Sequence, residues 1–268
     1  MNSYTKRLHL LKDDYLQNIK NQWFAGNHPQ TSTQQYIKQA NDWFRSSKRN
    51  DLQGWDSLPY IDITLGCTHF IESLLIRYKN LQVLSNDYAY YSLIGMPGVT
   101  DPDELVADAP LIISLPNWKY ADLRPNWDDI LKICEQRAID IHIDMAWAIA
   151  AKNIEIDLSH PCIKSIAMSL SKYSMQWNRV GLRWTKQRTM DSITMFNHYQ
   201  GDVNLGPISC GSYIMKNLSI DYGWNTYEKQ HYEVCKEHGL TPSKIFYVAH
   251  EPITQHPVSI SRLLCLTN

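Results

Sequence analysis

Apolar positions at Leu8, Leu11, Tyr15, Ile19 and Trp23 recur at helical spacing and predict a helix over 4–25, which Gly26-Asn27-His28-Pro29 ends. A second helix is predicted over 31–45, with Tyr36, Ala40, Trp43 and Phe44 on one side. Beyond a charged loop at 46–52 the pattern changes. Ile61-Asp62-Ile63-Thr64-Leu65 predicts a strand, and Gly66 opens a helix through Ile71, Leu74, Leu75 and Tyr78. Further strands are predicted at 81–84, 111–115, 139–143 and 163–168, with a helix over 127–137 between them. Runs of Ile, Leu and Val without alternation suit strands covered on both faces, as in parallel sheets. The predicted class is therefore α/β, with a mostly parallel central sheet flanked by helices. After Trp184, helices are predicted over 190–199 and 222–238, and strands over 244–248 and 258–266.

Composition narrows the class without naming a function. Apolar residues make up 44% of the 268, enough for a sizeable core. With 26 basic and 27 acidic residues, the formal charge of −1 gives no electrostatic case for nucleic acid or anionic membrane. The six cysteines are dispersed with no CxxC pair, which fits reduced thiols better than disulfides or a zinc site, so no metal is expected. Met1 to Lys12 has no signal-peptide core, and no apolar run reaches the roughly 20 residues of a membrane helix. A cytoplasmic globular protein is the expectation.

The chemistry-bearing residues fall at predicted strand ends, where parallel α/β sheets bind ligands. Gly66-Cys67-Thr68 follows 61–65 and opens a helix, whose N–H groups suit a phosphate, although such a glycine also serves a plain turn. Asn117 follows 111–115 and can bond a ligand oxygen or form an Asx-turn. Asp144 ends 139–143, and an acid there is costly unless a cation meets it. His142, one residue before Ile143, reads as a hydrogen-bonded core residue. Lys172 follows 163–168 behind Ser169 and Ser171, hydroxyls that bond a phosphate or cap a turn. Arg179 offers a bidentate fork for phosphate.

In this order, the segment from Asp62 to Trp184 resembles the large domain of fold-type I pyridoxal-phosphate enzymes, the aspartate aminotransferase superfamily. The resemblance implies pyridoxal 5'-phosphate as cofactor, with Lys172 as the catalytic Schiff-base lysine and Asp144 at the pyridine nitrogen. By the same resemblance Asn117 and Trp147 serve the ring hydroxyl, and Tyr88 stacks on the ring. Gly66, Cys67, Thr68, Ser169, Ser171 and Arg179 form the phosphate cup. Trp147 stands where the family usually has tyrosine, and Lys172 to Arg179 is one position shorter than the commonest spacing. The C-terminal region is short for the family. The expected organisation is an N-terminal helical segment (1–60), a cofactor-binding core (61–189) and a remainder with a reduced C-terminal α+β subdomain (190–268). Arg262 matches the late-strand arginine that holds a substrate carboxylate, and equally suits a surface ion pair.

The implied activity is aminotransferase-like chemistry on an amino acid, in a homodimer. The aromatic N-terminal helices suit such an interface or packing within the subunit. Elimination, decarboxylation and oxidation run on the same machinery. A non-catalytic binding or scaffold relative is the alternative from another class. A methyltransferase-like glycine loop at 62–68 is a third, and lacks its second glycine.

Overall fold

A computed structural model of the chain describes residues 11–26, 31–96, 98–173, 175, 178–200 and 203–265. The expected helical turns before Leu11, the break at Asn27-His28-Pro29 and the end of the last predicted strand at Leu266 lie outside these residues.

The strands are β1 (Asp51–Gln53), β2 (Tyr60–Thr64), β3 (Gln82–Leu84), β4 (Gly98–Val99), β5 (Leu111–Ser114), β6 (Ile141–Asp144), β7 (Glu155–Asp157), β8 (Ile163–Ser169), β9 (Gly181–Thr185), β10 (Thr241–Pro242), β11 (Val248–His250) and β12 (Pro257–Ser259). The helices are α1 (Asp14–Ala25), α2 (Thr33–Phe44), α3 (Cys67–Arg77), α4 (Ala89–Leu93), α5 (Trp127–Gln136), α6 (Ser192–Thr194), α7 (Leu205–Asn217), α8 (Tyr222–Glu237) and α9 (Ser261–Leu264).

Seven strands form the central sheet in the order β2-β9-β8-β6-β5-β3-β4. All its neighbours pair in parallel except β9, which runs antiparallel to both β2 and β8. Every residue of β5 and β6 is buried, the two-sided burial that unalternated apolar runs predict. A smaller antiparallel sheet joins β10, β11 and β12. One apolar core extends from Leu11 to Leu264, so residues from both ends of the described chain pack together.

The N-terminal helices close on later parts of the chain. Tyr36, Trp43 and Phe44 are buried. The Trp43 indole donates to the Leu218 carbonyl at 2.7 Å, and that of half-buried Trp23 to Ser209 Oγ at 3.2 Å. This aromatic surface is thus spent within the subunit.

Two elements form where none was predicted, and one expectation is corrected. β9 is a strand although Arg183 interrupts its apolar pattern. Burial of that guanidinium is compensated by Asp62 at 2.6 Å and by Asp191. α7 forms despite Gly206, Pro207 and Gly211. Pro207 lies in the first turn, where its missing N–H costs nothing. A Cβ at Gly211 would press on Val180, Leu170 and Tyr36 at 2.9–3.2 Å, so the glycine lets the helix seat. Finally, the strand predicted over 258–266 stops at Ser259 and continues as α9.

Candidate functional site

The carboxyl ends of β5, β6 and β8 and the start of α3 surround a cleft lined by Gly66, Cys67, Thr68, Tyr88, Asp144, Trp147, Ser169, Ser171, Lys172 and Arg179, with Ile71, Ser114 and Ala146. Ten residues scattered over more than a hundred positions of sequence meet because parallel strands deliver their ends to one edge.

One end of the cleft is built for an anion. Gly66 caps α3 at φ +79°, a left-handed backbone that glycine adopts without strain, and no side chain caps the helix. The first-turn N–H groups are therefore left to a ligand. Arg179 donates from Nη1 to Thr68 Oγ1 at 3.2 Å beside them. Ser169 and Ser171 pair their hydroxyls at 2.9 Å.

The cleft floor is acidic. Asp144 is 2% exposed and makes no ion pair among the described residues. Its carboxylate accepts from the Ala146 N–H at 2.9 Å and, at 3.5 Å, from the Tyr91 hydroxyl. Burial raises its pKa, against the opposing pull of the Ala146 N–H, the Cys67 thiol, the Lys172 charge and the Tyr91 hydroxyl. A buried carboxylate held only by neutral donors calls for a cation from elsewhere. The Cys67 thiol is pushed well up by burial and then by Asp144, and it donates to the Ala167 carbonyl at 3.5 Å. It is therefore a neutral wall of the site.

Lys172 ends the short helical turn Leu170–Lys172 after β8. Its Nζ lies 3.7 Å from the centroid of the Trp147 ring, a cation–π contact. Burial lowers its pKa to about 8, although Asp144 and Cys67 pull the other way. Trp147 continues into an aromatic stack with Trp118 at 5.2 Å and Tyr247 at 5.5 Å.

Two sequence candidates stand elsewhere. Asn117 does not line the cleft. Its Nδ2 donates to Asp87 Oδ1 at 3.2 Å and Ser114 Oγ at 3.4 Å, and its Oδ1 accepts from the Lys119 N–H at 2.8 Å. The Asx-turn reading describes its geometry. Arg262 is exposed on α9 and is not brought to the cleft. Conversely, Ser114 and Tyr91 belong to the site without having been assigned to it. The Tyr91 signal was its helical spacing three positions after Tyr88, which puts both rings on one face.

No protein-family model matches the chain, and no curated protein matches it by sequence. Solved structures do match. A pyridoxal-phosphate-bound C-S lyase from Staphylococcus hominis superposes with a TM-score of 0.61 at 11% identity, over 92% of this chain and 74% of that one. The fold is that of the fold-type I pyridoxal-phosphate enzymes. An aspartate aminotransferase mutant from Thermus thermophilus aligns with 90% of this chain and 75% of its own (TM-score 0.62, 11% identity). For the YbdL methionine aminotransferase from Escherichia coli the shares are 88% and 74% (TM-score 0.58, 13% identity). Within this fold-type I frame, no described helix is long and apolar enough to cross a membrane, and the described residues contain no metal-ligating cluster.

Proposed function

We propose that the chain is a pyridoxal-phosphate-dependent enzyme that acts on an amino acid, with aminotransferase-like chemistry at Lys172. The observation that carries this reading is Asp144: a buried acid without an ion-pair partner among the described residues, in the same cleft as a lysine of lowered pKa and an uncapped helix N-terminus. A protonated pyridine nitrogen is the cation such an acid lacks, and a phosphate is the anion the other end of the cleft suits. When bound, the cofactor supplies an electron sink for negative charge developing at a substrate α-carbon.

The chain's own residues do the rest. Arg179, Thr68, Ser169, Ser171 and the first turn of α3 would hold the phosphate, so that binding energy remote from the reacting bond orients the group. Asp144 would keep the ring nitrogen protonated, and Tyr88 would bound the ring. Lys172 Nζ, neutral in part near pH 7, would be the nucleophile that holds the cofactor's aldehyde end. With a substrate in the cleft, the same Nζ would be placed to take and return the α-proton. Trp147 restricts where Nζ moves.

The test is an absorbance spectrum of the purified protein with pyridoxal phosphate, followed by a panel of amino acids with a 2-oxo acid. New 2-oxo and amino acid products identify transamination, whereas ammonia release identifies elimination. A protein that takes up no pyridoxal phosphate overturns the proposal.

Two further results are expected. The rate of cofactor capture should rise with pH and inflect near the Lys172 pKa of about 8. Only the neutral amine attacks an aldehyde, and below that pH the amine is mostly protonated. Stopped-flow absorbance over roughly pH 6 to 11.5 reads the inflection, and an inflection near the ordinary lysine value of about 10.4 would remove Lys172 from this role. Separately, Arg179→Gln should weaken cofactor affinity about 10- to 100-fold, the worth of one charge-assisted phosphate contact. Equilibrium dialysis reads that change.

A further inference from the structure

A second polar pocket lies at the opposite edge of the central sheet, where β6 and β8 begin and β9 ends. Its lining includes Arg77, Lys164, Arg183 and Lys186, with Asp140 and Asp191. Four cationic side chains thus face two carboxylates.

The pairing does not cancel that excess. Arg183 is matched by Asp62 and Asp191, and Lys164 by Asp140 at 3.3 Å. Lys186 has only carbonyl partners, Ser159 at 3.1 Å and His160 at 2.6 Å, which leave its charge uncompensated. The Arg77 side chain makes no hydrogen bond or ion pair among the described residues. Its guanidinium lies over the Tyr78 ring at 5.0 Å. Crowding of like charges is felt inside the pocket: burial first, then Arg77, Arg183 and Lys164, lower the His142 pKa to about 3.

Two polar nitrogens complete the site. His142 is 4% exposed and Arg183 2%, yet His142 Nε2 and Arg183 Nε have no hydrogen-bond partner among the described residues. His142 Nδ1 lies 2.6 Å from Ser165 Oγ, for which no other bond forms among the described residues. With the serine hydroxyl donating to Nδ1, the neutral imidazole carries its proton on Nε2 as a free donor. A register shift in the β6–β8 pairing between Ile141 and His142 sits at this point, the kind of irregularity that re-aims side chains. Two unpaired buried donors beside two uncompensated cations are costly unless an acceptor meets them.

We propose that this pocket is a second binding site, separate from the cofactor cleft, for a small oxyanion such as inorganic phosphate or a compact phosphomonoester. Arg77 and Lys186 supply the charge, and the buried His142 and Arg183 side chains form its inner wall. The site rests on residues outside the cofactor cleft and stands or falls independently of the proposed activity.

The experiment titrates inorganic phosphate by calorimetry into protein saturated with pyridoxal phosphate, so that the cofactor's own phosphate site is filled. Should the chain take up no cofactor, the Arg179→Gln chain serves, because its cleft lacks the arginine of the phosphate cup. One equivalent of phosphate is expected to bind. Arg77→Gln, an exposed change, should weaken binding roughly tenfold with the cofactor spectrum unaltered. The His142 ring-proton resonance should shift on phosphate addition in the unmutated protein, which locates the ligand without relying on a buried variant. Absence of binding, or binding that leaves the His142 resonance unmoved and is indifferent to Arg77→Gln, overturns the proposal.

Discussion

Lys172→Ala should abolish the adduct that borohydride fixes between pyridoxal phosphate and the chain, and should lower turnover about 10²- to 10⁴-fold or more. Nζ is the amine that lies in the cleft against the Trp147 face, and its pKa of about 8 leaves a neutral fraction near pH 7. Alanine removes the nucleophile and the proton carrier together. Stability should move the other way. The folded-state pKa lies below the unfolded lysine value of about 10.4, so protonating Lys172 costs folding free energy. That cost is fully present below pH 8 and is relieved as pH rises through the unfolded value. The alanine variant without cofactor should therefore melt no lower than the parent near pH 7, and the two should converge at high pH. Mass spectrometry after borohydride reduction and a melting curve check both parts. An adduct that survives on the variant places the reactive lysine elsewhere.

Asp144→Asn should give opposite results with and without cofactor. Asparagine keeps the shape and can still accept from the Ala146 N–H, but it brings no negative charge to hold a proton on the ring nitrogen. Losing one member of a buried charge pair costs about 3–5 kcal/mol, so turnover should fall on the order of 10²- to 10⁴-fold. Without cofactor, burial holds the Asp144 pKa above its ordinary value, which means that the ionised form is disfavoured in the folded chain. Such a group lends stability at low pH that is lost as pH rises through its folded pKa. The cofactor-free Asn variant should accordingly be more stable than the parent near pH 7. Urea unfolding with and without pyridoxal phosphate reads both signs. Equal turnover and equal stability would remove Asp144 from this role.

Much of the cleft was legible because its residues follow unalternated apolar runs, and such runs in a parallel sheet deliver their ends to one edge. Gly66, Asp144, Ser169 and Lys172 were found in that way. Asn117 was ambiguous by its chemistry: an amide after a proline serves its own turn as readily as a ligand, and here the Lys119 N–H takes its oxygen. Arg262 was placed by a strand that ends three residues earlier. Val258, Ile260, Leu263 and Leu264 are buried, as a strand or a helix would require, so composition alone did not separate the two. Arg183 hid β9 because the acids that neutralise it, Asp62 and Asp191, come from other segments.

The amino-acid order by itself determined the α/β class, the parallel strands and the list of groups that end them, since local burial patterns and turn residues act over a few positions. Only the tertiary structure decided which of those groups face one another. It joined Tyr91 and Ser114 to the site, turned Asn117 inward to Asp87, and kept Arg262 away. It also gathered Arg77, His142 and Lys186 from three separate elements into a second pocket. Charge pairing, burial and the pKa values that follow from them depend on distances across the fold, and such distances are set by packing rather than by sequence spacing.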